Sequence, residues 1–144
     1  MTILLVSFSA WFIAQSIKVI FSLLFHRKFE PGLFLASGGM PSAHSAFISS
    51  VAVQIGLQSG FESSIFALAA AITLIVVYDA FNVRRSVGLQ GQTLNKMIEY
   101  VVEKDDTREI KTIKEVMGHT PLQVLFGIIL GVSHVYLLHY IEII

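Results

Sequence analysis

Four apolar runs separated by short polar islands constrain this chain more than anything else in it. A helix needs about 20 residues to cross the roughly 30 Å hydrocarbon core of a bilayer. Runs of about that size occupy 2–25, 42–58, 62–82 and 120–141. The second is long enough only if the stretch 41–44 opens the same helix. Charged residues make up 14% of the chain, where an ordinary soluble domain carries about 25%, and mean hydropathy is +0.72. The expected fold is therefore all-α, a polytopic membrane bundle of about four transmembrane helices in one domain over 1–144. A soluble bundle with a very apolar core is the competing class. The first run does not read as a signal peptide, because no basic segment precedes it and Lys18 interrupts it.

The formal net charge of +0 conceals a pattern. All ten Lys and Arg fall within 18–28 and 84–114, whereas the other loops offer Glu62 and Glu142. The positive-inside rule then puts both termini outside and both basic patches inside. The lipid bilayer is the first partner expected, and nucleic acid is not one. With no cysteine, disulfide and thiolate chemistry are excluded.

The long inner loop, 83–118, has its own periodicity. Leu94, Met97, Ile98, Val101 and Val102 recur at helical spacing between Lys96, Glu99, Glu103 and Lys104. This predicts an amphipathic helix in the membrane interface or packed on the bundle. In "KDDTREIKTIKEVMGHTP", a second helix is expected to start at Asp105 and Asp106. It would carry Ile110, Ile113 and Met117 on one side and stop at Gly118.

The expected topology brings the odd polar groups to one level: Lys18 and Arg27, "GGMPSAHS", Asp79 with Arg84 and Arg85, and "GHTP". In "GGMPSAHS", Pro41 suits a first helical turn, where its missing N–H costs nothing. Ser42, Ala43 and His44 would then offer free N–H groups at the positive end of a helix dipole, a ready anion site. Gly38 and Gly39 would let the backbone approach a bound group closely. "GHTP" repeats the design, with Thr120 as a cap and Pro121 in the first turn.

Two histidines at two helix starts suit phosphoryl transfer in two steps. One imidazole attacks phosphorus, and the other protonates the leaving oxygen and then activates water. Lys18 and an arginine would neutralise the phosphoryl oxygens. The scheme requires no metal and no cofactor. Each residue also has a plainer reading. Asp79 can pair with Arg84 or Arg85, Lys18 can snorkel to the headgroups, and His44 can be hydrogen-bonded structure. Gly127 and Gly131 form a GxxxG that suits close helix packing.

Lys18, "GGMPSAHSAF", "YDAFNVRRSVGLQ", Leu94–Asn95 and "KEVMGHTPLQVLFGIILG" together resemble the type-2 phosphatidic acid phosphatase and vanadium haloperoxidase superfamily. The resemblance is to its small divergent bacterial and plant branch, and it runs from about Lys18 to Gly131. It implies phosphate binding by Lys18, Ser42 and the Ala43 amide, His44 as general acid and His119 as nucleophile. The branch makes a bacterial plasma membrane the expected location, and the charge pattern alone puts the site near its cytoplasmic face. The superfamily core has six helices, so a second copy of the chain, joined through small-residue faces, is the expected way to complete the bundle.

The chain departs from the superfamily pattern at several positions. Phe25 stands where the first motif has arginine, with Arg27 off the lysine's face, and Ala43 replaces a glycine. Thr112, Ile113 and Gln123 stand where the third motif has serine, arginine and aspartate. Arg84 or Arg85 is then expected to supply the cation, and Asp79 or Glu115 the carboxylate. The leading expectation is metal-independent hydrolysis of a lipid phosphomonoester or pyrophosphate through a phosphohistidine. The alternative is a non-catalytic membrane protein that binds or moves phosphate or an anionic headgroup, which has no need of an acid at Gln123.

Overall fold

A computed structural model describes residues 2–26, 34, 39–104, 111–113, 115, 117–142 and 144. The elements run α1 (Ile3–His26), α2 (Ala43–Ser59), α3 (Ser64–Tyr78), a π-helical turn (Asp79–Val83), α4 (Arg84–Lys104) and α5 (Pro121–Tyr140). The structure is all-helical, as the apolar runs require. Three helical stretches are long and apolar enough to cross a membrane: Ile3–Leu24, Ser64–Val101 and Pro121–Tyr140. At 17 residues, α2 spans about 26 Å, slightly less than the hydrocarbon core, and it lies at the centre of the bundle against α1, α3 and α5.

The bundle is polar inside and apolar outside. Leu4, Phe8 and Phe12 of α1, Leu68 and Leu74 of α3, and Leu125 and Ile129 of α5 are exposed. Ser7, Gln15, Ser42, Ser45, Ser49, Ser50 and Gln54 are buried. Lipid tails give apolar side chains no reason to hide, so small residues and interhelical hydrogen bonds hold such a bundle together. At one end, Gln54 Nε2 donates to the Ile3 carbonyl at 3.2 Å and to Ser7 Oγ at 3.1 Å, joining α2 to α1.

The GxxxG of α5 makes the tightest contact. Gly127 lies against the Ser42 carbonyl and Ser45, and Gly131 against the Ala46 carbonyl and Ser49; neither glycine has room for a Cβ. The sequence offered such small-residue faces as surfaces for a second copy. In the structure α2 already occupies this one. The Ser42 N–H donates to the Gln123 carbonyl at 2.9 Å, tying the start of α2 to the first turn of α5.

Several local expectations are corrected. Pro41 does not open the first turn of α2. Ser42 is the N-cap, accepting from Ser45 N at 3.3 Å, and the helix begins at Ala43. At α5 the expected start is met: Thr120 caps the helix and Pro121 begins it.

The inner loop 83–118 opens as helix, because α3 continues through the π turn into α4 as one helical run over Ser64–Val101. Along α4, Leu94, Met97 and Val101 are exposed rather than packed on the bundle, and Asn95 is the buried side chain. Its amide donates to the Ile113 carbonyl and its Oδ1 accepts from the Ile113 N–H, both at 2.8 Å. This pairing takes up the backbone groups that a helix through Ile113 would use, and residues 111–113 and 117–118 are not helical. Arg27, Gly38, Asp105, Asp106 and Ile110 lie outside the described residues.

Two outcomes follow. Gly131→Ala forces Ala46 and α5 apart and should lower unfolding stability by about 1–3 kcal/mol, whereas Leu125→Ala on the exposed face of the same helix should cost far less. Thermal unfolding in detergent reads both. Asn95→Ala strands the Ile113 N–H and C=O at a partly buried position, at a cost of about 1–3 kcal/mol. Limited trypsin digestion should then cut faster at Lys111 than in the parent protein.

Candidate functional site: a cleft at the starts of α2 and α5

The π turn builds one wall of the site. It follows Tyr78 and closes with the Arg84 N–H donating to the Asp79 carbonyl five residues back. Such turns displace backbone groups from the regular ladder. Here the Ala80 carbonyl accepts the His119 N–H at 3.0 Å, holding the "GHTP" segment against the π turn. Gly118 lies so close to the backbone of Arg84 and Arg85 that a Cβ there would clash.

These contacts form a cleft of about 30 Å³ lined by His44, Val76, Asp79, Ala80, Arg84, Met117, Gly118 and His119. That volume holds a few water-sized groups, the scale of phosphoryl oxygens rather than of a whole lipid. His44 is exposed into the cleft and His119 is buried, at 4% exposure. Arg84 Nε reaches Asp79 Oδ2 at 2.9 Å, with both side chains about half exposed. The pairing expected for Asp79 is therefore made, and a bond so open to solvent contributes little to stability.

Lys18 is buried at 7% exposure. Gly39, at φ +77°, packs beside its aliphatic stem; a Cβ there would sit 3.5 Å from Lys18 Cδ. Positive φ and this close approach both favour glycine. Among the described residues Arg84–Asp79 is the ion pair present, and it leaves Lys18 without a carboxylate partner. The charges acting on His44 are those of Arg84, Lys18 and Asp79, and Lys18 also acts on His119. Among the described residues no three His, Asp or Glu side chains are grouped to hold a metal ion.

Other candidates sit elsewhere. Ser42 and Ala43 are fully buried and do not line the cleft, and the Ser42 N–H is spent on Gln123. Arg85 is exposed and contributes its backbone beside Gly118. Glu115 Oε1 accepts from the Asn95 amide at 2.8 Å. Gln123 closes a capping box, its Oε1 accepting from the Thr120 N–H at 2.9 Å while its own N–H donates to Thr120 Oγ1 at 3.3 Å. The position expected to lack an acid thus has a structural duty. Neither the π turn nor the Ile113 clamp of Asn95 has a signal in the sequence: nothing in the spacing around Leu94–Asn95 indicates a backbone partner 18 residues away.

His119 Nδ1 is buried with no hydrogen-bond partner among the described residues. Burial, and after it the Lys18 charge, hold the imidazole below its ordinary value; the Gln123 side chain and the Gly39 backbone oppose this more weakly. A base depressed in the folded state is neutral near pH 7. The unfolded chain takes its proton first, so the associated stability is present above about pH 6.5 and is lost as pH falls through the depressed folded value. An NMR titration of the His119 ring should give a midpoint below about 6.5, and Lys18→Met should raise it. A midpoint above that value would mean that an acid reaches the ring.

The fold and site define a polytopic membrane helix bundle with histidine and cationic side chains gathered at two helix starts. The chain belongs to the Divergent PAP2 family, which it matches over residues 1–134. It is 36% identical over 139 residues to "Uncharacterized membrane protein YuiD" of Bacillus subtilis (strain 168), a match covering 90% of this chain and 88% of that protein. No solved structure matches the chain.

Proposed function

We propose that this protein is a metal-independent phosphatase acting on a lipid phosphomonoester or pyrophosphate. The observation that carries the reading is that His44 and His119 line one cleft, with Lys18 buried under Gly39 nearby. A buried charge is costly unless neutralised, and a phosphate oxygen would supply an anion where the described residues place no carboxylate on Lys18. The neutral imidazole of His119 attacks phosphorus while the P–O bond to the leaving group breaks. His44 gives its proton to the leaving oxygen, then takes one from water as that water attacks the phosphohistidine. Inorganic phosphate leaves and both rings return to their starting states. Lys18 and Arg84 offset charge on the phosphoryl oxygens. The Arg84 guanidinium can serve only by sharing itself with Asp79. Placing the cleft at the cytoplasmic face of a bacterial plasma membrane belongs to the same proposal, as does pairing with a second copy.

One observation favours a second reading. With Gln123 held in the capping box and Asp79 paired with Arg84, no carboxylate among the described residues orients His119, and the cleft would then bind or pass on an anionic headgroup without cleaving it. Phosphate release from a panel of lipid phosphates separates the two. Release that survives chelator and falls at least a hundredfold in both His44→Ala and His119→Ala supports the phosphatase. Binding without release, weakened by Lys18→Met, supports the binder.

A further inference from the structure

The cleft has room for a phosphoryl group but not for a lipid, yet a larger apolar groove of about 620 Å³ begins beside it. Its walls are Ile13, Ile17 and Phe21 of α1 and Phe126, Ile129 and Leu130 of α5, and Met40 and Pro41 close the end nearest the cleft. Met40 directly follows Gly39, which packs on the Lys18 stem. Phe126 lies one turn beyond Gln123, whose carbonyl holds the start of α2. The groove is thus joined to the phosphate site through the backbone that positions both.

The dimensions fit one kind of occupant. The groove follows α1 from 13 to 21 and α5 from 126 to 137, or about 12–16 Å along the helix axes. That is close to the roughly 15 Å hydrocarbon depth of one leaflet, and the volume is in the range of a specific ligand pocket. The far end is polar. His134, which lines it, has Nε2 2.7 Å from Ser9 Oγ on α1. Ser9 also donates to the Val6 carbonyl at 2.7 Å, so in the bond to His134 the imidazole N–H is the donor. This bridge ties α1 to α5 near the outer end of the apolar track, about one turn before Leu137.

We propose that the α1–α5 groove holds the hydrocarbon chain of the ligand whose phosphate enters the cleft, with the His134–Ser9 bridge beside its outer end. The proposal rests on the phosphate reading above and selects a membrane lipid over a water-soluble phosphate ester. The bilayer already solvates such a chain, so the groove adds position rather than hydrophobic affinity: it aligns the phosphorus with His119.

The test uses the full chain in phospholipid nanodiscs, with dodecyl phosphate carrying a photoactivatable group near the chain end. The neutral dodecyl alcohol with the same group serves as control, and inorganic phosphate binding is measured separately. Labelling should concentrate on α5 near Ile129 to Leu137, at least fivefold above that of the alcohol. Ile17→Trp and Ile129→Trp, which fill the groove away from the cleft, should remove this labelling and leave inorganic phosphate binding unchanged. Labelling spread over exposed residues such as Leu68 and Leu74, or equal labelling by phosphate and alcohol, overturns the groove proposal even where Lys18-dependent phosphate binding persists. Absence of any Lys18-dependent phosphate binding overturns the phosphate reading itself, and the groove proposal with it.

Discussion

The close packing of α5 on α2 is the contact on which the rest of the molecule depends. Gly127 and Gly131 bring the α5 backbone onto Ser42, Ser45, Ala46 and Ser49, and the bond from Ser42 to Gln123 fixes the register of the two helix starts. In lipid, apolar surface supplies no force to drive helices together, so such backbone-to-backbone approach is where the cohesion of the bundle lies. Because the contact runs up to the first turns of both helices, it also sets where His44 and His119 begin.

The other wall of the site comes from an irregularity. A regular helix through Asp79–Val83 would keep the Ala80 carbonyl in its own ladder. The π turn instead offers it to the His119 N–H. His119 is therefore held through its backbone, and burial, with the Lys18 charge after it, keeps its ring below the ordinary imidazole value. Asp79 and Arg84 face the same cleft but bond to each other. Among the described residues the cleft thus pairs its one lining carboxylate, Asp79, with Arg84, while the two histidines carry no carboxylate of their own.

Polarity is distributed as a membrane requires. Serines and glutamines of α1 and α2 line the interior, where Gln54 Nε2 bonds Ser7 and Ser50, and Ser45 bonds Ser42, and leucines and phenylalanines face outward. This inversion explains why α2, the least apolar of the candidate spans, sits at the centre. It also explains why the α1–α5 groove, apolar and open to the surroundings, is the natural route for a chain from the bilayer.

Much of this was legible in the residues themselves. Four apolar runs dictate helices, since only hydrogen-bonded helices or closed barrels satisfy the backbone in lipid. The Thr120–Pro121 start, the packing role of Gly127 and Gly131, and the family follow from local chemistry and motif order. Tertiary structure decided the rest, because each point depends on a partner far along the chain. Pro41 fell outside α2 once Ser42 became the cap. The apolar stripe of α4 stayed exposed because Asn95 turned inward to hold Ile113, and residues 111–113 were drawn out of helix by that clamp. The cleft itself exists only because a π turn released one carbonyl to a histidine 39 residues later. Hydropathy and helix-start chemistry are properties of neighbouring residues and can be read along the chain; which backbone group a distant residue will capture is settled only when the helices meet.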